Sequence, residues 1–291
     1  MRLASFEHQG TAHLGLVDGD SVIDLADAAP DLPRDLVGLI RAGAAAFEAA
    51  GKAGRTARPG ARHALKGLKF LPPIANPGKI ICLGLNYADH AAEGGHAKPE
   101  YPSFFMRCST SLAAHGEALL RPLCSEKFDY EAELVAVVGR RARHVKKVDA
   151  FAYIAGYSCF NDGSIRDYQR KTSQWTIGKN FDKTGGFGPW FVTSDELPPG
   201  AAGLTIESRL NGQVMQHANT SHMLVPVAET VELLTECLTL EPGDLLVMGT
   251  PAGVGHARRP PVWMKAGDTI EIEIEKIGVL SNTIADEVAG R

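Results

Sequence analysis

From Lys79 onward the chain is dominated by short β-branched and apolar runs, KIICLGL, AELVAVVG, LTIESRLNGQVM, DLLVMGT and TIEIEIEKIGVLSNTI, separated by turns containing Gly, Pro or Asn. Runs of this length and residue type are strands. The segment TIEIEIEKI alternates strictly, so its isoleucines face a core and Glu271, Glu273 and Glu275 form a solvated strand face, not a metal site. Two helical patterns interrupt the later strands. One covers residues 89–93 and the other about 225–239, where Val227, Val231, Leu234 and Cys237 or Leu238 recur at helical spacing. With no repeat of 20–50 residues, solenoids and propellers are excluded. The predicted class is a β-rich α+β fold.

The first part of the chain has a different texture. LASF, HLGLV and SVIDL alternate around Asp18-Gly19-Asp20 as short strands joined by a turn. An alanine-rich helix over about 34–50 follows, and then the Gly-rich basic stretch GKAGRTARPGAR, which reads as a flexible surface link. Proline pushes the residue before it out of helical conformation, so the boundary is placed near Pro72-Pro73. This gives a small N-terminal α+β domain at 1–72 and a catalytic domain at 73–291.

Charge excludes some partners. The 30 Lys and Arg stand against 34 Asp and Glu, a formal −4, and the pairs Arg140-Arg141 and Lys146-Lys147 are scattered and solvated, so no basic stripe invites a nucleic acid. No window reaches the ~18 apolar residues of a membrane span, and MRLASFEHQG lacks the apolar run of a signal peptide. Five cysteines without CxxC spacing are expected to be reduced thiols in the cytoplasm.

Chemistry concentrates in a few places. In FDYEAELVAVVG, Glu131 and Glu133 are two apart at the start of an apolar strand and so project from one face. Carboxylates held that close repel unless a hard divalent cation such as Mg²⁺ or Mn²⁺ neutralises them; an exposed strand face is the alternative for an ExE pattern alone. YIAGYSCF runs into Asn161-Asp162-Gly163, which puts a third carboxylate at the end of another apolar strand, and the three together make a shell open to water and substrate. Arg166, Asp167 and Gln169 follow at once, with Asp167 read as an outward capping or ion-pairing group.

LGLNYADHAAEGG places His90 and Glu93 three apart on one helical turn, where a carboxylate can orient an imidazole as a general base for water; Gly94-Gly95 beside them would let the element move as a lid. A surface His-x-x-Glu pair is also common without function. Lys179, in QWTIGKNFDKTGGFGPW, suits stabilisation of negative charge beside a metal-bound oxyanion. GTPAGVG, at 249–255, lacks a P-loop lysine and the GxGxxG spacing, so no nucleotide site is expected; its backbone groups and the hydroxyl of Thr250 are expected to face a small acid.

LGLNYADHAAE, PSFFMRCSTSLAAHGE, FDYEAELVAVVG, AGYSCFNDGSIRDYQ, GKNFD, SRLNGQVMQ and GDLLVMGTPAGVG occur in this order over about residues 74–287. As an ordered set they resemble the fumarylacetoacetate hydrolase family. The resemblance implies a mixed β-sandwich roll, commonly a homodimer, with Mg²⁺ or Mn²⁺ on Glu131, Glu133 and Asp162. It also implies a water-activating dyad of His90 and Glu93 on a lid, Lys179 facing a small 2-oxo acid, and Arg107, Arg166, Gln169 and Thr250 near the pocket. Gly163 stands where many members carry valine, and Arg107 where others carry lysine; these departures leave the metal shell intact. The expected activity is hydrolysis of a carbon–carbon bond in an acylpyruvate-type 2,4-dioxo acid with pyruvate as an enolate leaving group. Oxaloacetate decarboxylation, or isomerisation or decarboxylation of a 2-hydroxy-diene-dioate, is the alternative.

Overall fold

The computed structural model describes residues 1–93 and 100–289. The hinge expected at Gly94-Gly95 lies outside them. Two sheets carry the fold. The larger runs Arg62–Ala64, Ser21–Asp24, Thr11–Asp18, Arg2–His8, Gly185–Thr193, Ile154–Asp162, Ala132–Val138, Leu245–Val247, Ile80–Gly84 and Ser103–Arg107, with Lys69–Phe70 and Leu112–Ala114 paired beside this path. The smaller runs Gln213–Asn219, Thr205–Leu210, Thr269–Ile274, Gly278–Asp286 and Leu119–Arg121. Parallel pairs, such as Leu245–Val247 on Ile80–Gly84, mix with antiparallel ones. The β-rich α+β class is therefore the observed one.

The strand Ala132–Val138 explains how the layers stack. All seven residues are buried. Leu134, Ala136 and Val138 join Ile206, Ile270, Ile272, Ile274 and Leu280 of the smaller sheet in one core, while Val135 and Val137 join Phe160, Phe187 and Val247 in a second. A strand covered on both faces needs apolar residues along its covered length, which is why the run from Leu134 to Val138 does not alternate. The Thr269–Ile274 strand does alternate, with Ile270, Ile272 and Ile274 inward, and each fully buried isoleucine contributes about 1.5–3 kcal/mol. On the outer face Glu271 and Glu273 meet Arg209 at 3.0 and 2.6 Å.

The N-terminal residues extend the larger sheet. Arg2 pairs with Val192 and Leu3 with Phe191, and Leu3, Leu14, Leu25, Leu36 and Leu39 belong to the same core as Val135 and Val247. The helix expected over 34–50 is two helices, Leu36–Ala42 and Ala44–Thr56, broken at Gly43, whose φ of 79° is costly for any residue with a Cβ. The second helix continues through the first half of the stretch read as a link, and Gly54 there packs against Leu16, so that glycine serves close approach and not flexibility. The expected helix at 225–239 is Val227–Cys237, which buries Val227, Val231 and Leu234. No helix among the described residues is long and apolar enough to cross a membrane.

Candidate metal centre and catalytic pocket

Sheet register assembles the carboxylates. Ala132 pairs with Asn161 and Glu133 with Phe160 across adjacent antiparallel strands, and the Asp162 N–H donates to the Glu131 carbonyl at 2.9 Å, so Glu131, Glu133 and Asp162 fall on one face. One oxygen of each lies within 4.8 Å of the others, and all three residues are buried. Asn161, on the opposite face, fixes the strand entry by accepting the Glu131 N–H at 3.0 Å.

The three carboxylates are unequally compensated. Lys179 donates to Glu131 Oε2 at 2.7 Å and to Asp162 Oδ2 at 2.6 Å, Arg166 donates to Glu131 Oε1 at 2.6 Å, and Arg107 pairs with Asp162. Burial raises the Glu131 carboxyl, but Lys179 and then Arg166 outweigh it and hold the group well below the ordinary carboxylate range. Among the described residues Glu133 receives only the Gly249 N–H, at 2.6 Å. Burial, followed by the charges of Asp162 and Glu131, pushes its carboxyl well above the usual value. A buried trio of hard oxygen donors with one member lacking a cation fits a divalent ion of the Mg²⁺ or Mn²⁺ type. Lys179 stays charged because Asp162 and Glu131 overcome the effect of its burial.

A cavity of about 630 Å³, counting its open mouth, leads to this cluster. His90, Glu93, Glu131, Arg166, Gln169 and Lys179 all line it. His90 Nδ1 lies 2.9 Å from Glu93 Oε1, as expected for the dyad, and Glu93 Oε2 accepts the Gly253 N–H at 2.9 Å. In the tautomer whose Nδ1–H donates to Glu93, Nε2 carries the free lone pair. Asp167 accepts from Ser125 Oγ at 2.7 Å, in the bland role expected of it.

Two substrate contacts expected from the sequence take other positions. Arg107 is buried behind the triad, where it holds Asp162, the Gly163 carbonyl, Thr184 and Ser111 and supports the carboxylate instead of the substrate. Thr250 is likewise absent from the cavity wall; its hydroxyl donates to the Ala132 carbonyl at 3.0 Å and accepts from Gln216 at 2.7 Å. GTPAGVG does offer backbone N–H groups, but to the protein's own acids: Gly249 to Glu133, Gly253 to Glu93 and Gly255 to Asp129. That loop ties the dyad to the triad.

Sequence reasoning missed Asp129, although FDYEAE displays it two residues before Glu131. Fully buried, it accepts from Tyr130, Gly255 and His256 N–H groups and from Arg166 Nε at 2.7 Å. Arg166 also donates to Gln169 at 2.9 Å, and Asp129 and Glu131 keep its guanidinium charged despite its burial. The cavity residues Phe105, Arg170, Trp175 and His256 were missed as well, since they come from three separate segments.

A buried acidic triad with a dyad at the open end of a two-sheet fold defines an enzyme site suited to a divalent cation. The chain belongs to the fumarylacetoacetate hydrolase family: the family model described as the fumarylacetoacetate (FAA) hydrolase C-terminal region matches residues 79–285. Among named relatives, the mitochondrial oxaloacetate tautomerase Fahd2a of Rattus norvegicus is 37% identical over 289 residues, covering 98% of this chain and 91% of that protein. The solved fumarylacetoacetate hydrolase of Exiguobacterium antarcticum is 31% identical with a TM-score of 0.85, covering 99% of this chain and 100% of that one. Maleylpyruvate hydrolase of Sphingobium sp. SYK-6, solved with manganese(II) and pyruvate, is 28% identical with a TM-score of 0.80 over 99% and 100% of the two chains.

Proposed function

We propose that this enzyme acts on a small 2-oxo acid by moving a proton at the carbon beside the oxo group. The observation that carries the proposal is the opening of the His90–Glu93 dyad and the Glu131 end of the acidic triad into one cavity. A divalent cation held by Glu131, Glu133 and Asp162 supplies a Lewis acid for the oxo group. Lys179, between Glu131 and Asp162, places a fixed positive charge where negative charge grows as the proton leaves. His90, oriented by Glu93, takes and returns that proton through Nε2. Phe105, Trp175 and Val254 in the cavity wall limit water around the reacting carbon.

The likeness to an oxaloacetate tautomerase over nearly the whole chain supports proton transfer as the complete reaction. Hydrolysis of an acylpyruvate is the second reading. The dyad supports it, because an imidazole that can deprotonate carbon beside an oxo group can also deprotonate water for attack on a more distant carbonyl, and so does the likeness to maleylpyruvate hydrolase.

One assay separates them. The protein is supplied with Mg²⁺, Mn²⁺ or chelator, and the enol–keto conversion of oxaloacetate is followed by ultraviolet absorbance beside pyruvate release from oxaloacetate, acetylpyruvate and fumarylpyruvate. Metal-dependent tautomerisation without pyruvate release is the expected result. Release from the diketo acids transfers the assignment to hydrolysis, and release from oxaloacetate alone transfers it to decarboxylation. Turnover unaffected by chelator defeats the role given to the triad. His90→Ala is expected to lower the rate by about 10²–10⁴ while leaving Mn²⁺ binding intact.

A further inference from the structure

Three histidines and an aspartate meet at the N-terminal end of the larger sheet, away from the catalytic cavity. His8 ends Arg2–His8, His13 lies in Thr11–Asp18, Asp24 ends Ser21–Asp24 and His63 lies in Arg62–Ala64. Register gathers them, since Phe6 pairs with His13 and Val22 with His63. The buried Phe6 ring lies 5.7 Å from the His13 ring and 5.9 Å from that of His63. The His8 ring packs on His63 at 4.3 Å and edge-on to His13 at 5.6 Å. Asp24 is fully buried. Its Oδ1 accepts the Ala26 N–H at 2.8 Å, and its Oδ2 lies 2.6 Å from His13 Nδ1 and 3.9 Å from His63 Nε2.

His63 Nε2 is buried and has no hydrogen-bond partner among the described residues, which costs its desolvation without return. Its 3.9 Å from Asp24 is too long for a hydrogen bond but near the spacing that one ion imposes. With bonds of about 2.0–2.2 Å, two ligand atoms on a tetrahedral ion stand about 3.4 Å apart, and two imidazole centres about 5 Å apart. His8, stacked 4.3 Å from His63, reaches the same point by turning its half-buried ring. His13 is occupied on both nitrogens, by Asp24 and by Thr11 Oγ1 at 2.8 Å, and so holds the carboxylate from outside. We propose that His8, His63 and Asp24 bind a borderline divalent cation such as Zn²⁺, with water as the fourth ligand and His13 orienting Asp24. Imidazole nitrogen favours such an ion over the hard cations suited to the triad. Bound there, the ion joins three strands of the N-terminal region. The site is separate from the triad and does not depend on the 2-oxo acid reading.

Co²⁺ titrated into the full-length protein with Mg²⁺ in excess tests this, because four-coordinate nitrogen and oxygen ligation absorbs visible light more strongly than six-coordinate oxygen ligation. One equivalent of the strong absorption is expected, and Zn²⁺ should displace it. Glu133→Gln, which impairs the triad, should retain it. His13→Gln, which removes the support of Asp24, should weaken Co²⁺ binding about tenfold, and His63→Gln or His8→Gln, which remove a ligand, should weaken it by more. In the Glu133→Gln background Zn²⁺ is expected to raise the melting midpoint, and adding His63→Gln or His8→Gln should remove that rise. If His63→Gln fails to fold, His8→Gln decides, because its half-buried ring is held by packing. Absence of the strong absorption in the unaltered protein, its loss in Glu133→Gln, or undiminished Co²⁺ binding in the His8 and His63 variants overturns the inference and leaves His63 and Asp24 as an ordinary ion pair.

Discussion

Glu133 is the residue on which the cation is expected to act most directly, because its two neighbouring carboxylates have ammonium or guanidinium partners and it has a single backbone N–H. Glu133→Gln keeps the shape and removes the charge. The chelated variant is expected to melt at or above the temperature of the chelated parent, and Mn²⁺ should no longer stabilise it. The parent should gain about 2.7 kcal/mol at a hundredfold excess over Kd. Thermal melts with and without metal check both statements. Arg107 shows the opposite behaviour: Arg107→Met takes one of two cations from buried Asp162, leaving Lys179, and is expected to cost about 1–3 kcal/mol in denaturant unfolding. A third residue gives a pH signature. Burial lowers the proton affinity of His115, whose Nδ1 accepts the Ser281 N–H at 3.1 Å. The unfolded chain therefore binds the proton more readily, and stability is lost as pH falls below about 6.5, the ordinary histidine value, toward the lower folded value. His115→Gln should flatten that part of the stability–pH curve.

At the scale of elements, the strand ends place the chemistry and the turns after them constrain it. A Cβ built on Gly163 would stand 2.0 Å from the Thr184 carbonyl oxygen and 2.8 Å from Phe128. The turn that delivers Asp162 is thus fitted to glycine in this chain. Gly163→Val is expected to shift the strand end or the Thr184 backbone and to weaken Mn²⁺ binding about tenfold or more, the range seen when groups supporting metal ligands are disturbed. Unchanged Mn²⁺ affinity by calorimetry would show that the turn relaxes without moving Asp162. The loop after Leu245–Val247 is constrained in the same way: Gly255 has Val262 O and Asp129 Oδ1 where a side chain would go, because its N–H must reach that buried carboxylate. Its glycines therefore bring backbone donors to Glu133, Glu93 and Asp129, an arrangement visible only once three distant segments are folded together.

For the molecule as a whole, the question is how far residues 1–72 contribute to the sheet that carries the site. Leu3, Leu14, Leu25, Leu36 and Leu39 cover the face on which Phe187, Phe191 and Val247 lie. Removing 1–72 would expose that surface together with the edge of Gly185–Thr193, the strand that pairs with the one ending in Asp162. The truncated chain 73–291 is expected to bind a hydrophobic dye and to lose its cooperative thermal transition. A sharp transition without dye binding would show instead that the remainder closes over the gap.

The amino-acid order by itself determined the β-rich class, the inward isoleucines of Thr269–Ile274, the pairing of His90 with Glu93 and the shared face of Glu131 and Glu133, because each is written in local spacing or in an unbroken apolar run, whereas sheet register brought Asp162 to that pair. Ordered motifs added the family. The break at Gly43 was missed because alanine continues helical propensity across it, while the chain reversal depends on a positive φ. Tertiary structure alone decided that Arg107 and Thr250 support the site from behind, that Asp129 anchors Arg166, and that Arg170 and His256 share one cavity. The physical reason is that a side chain's neighbours across strands and loops, and so whether its charge is paired or free, are set by sheet register and not by distance along the chain.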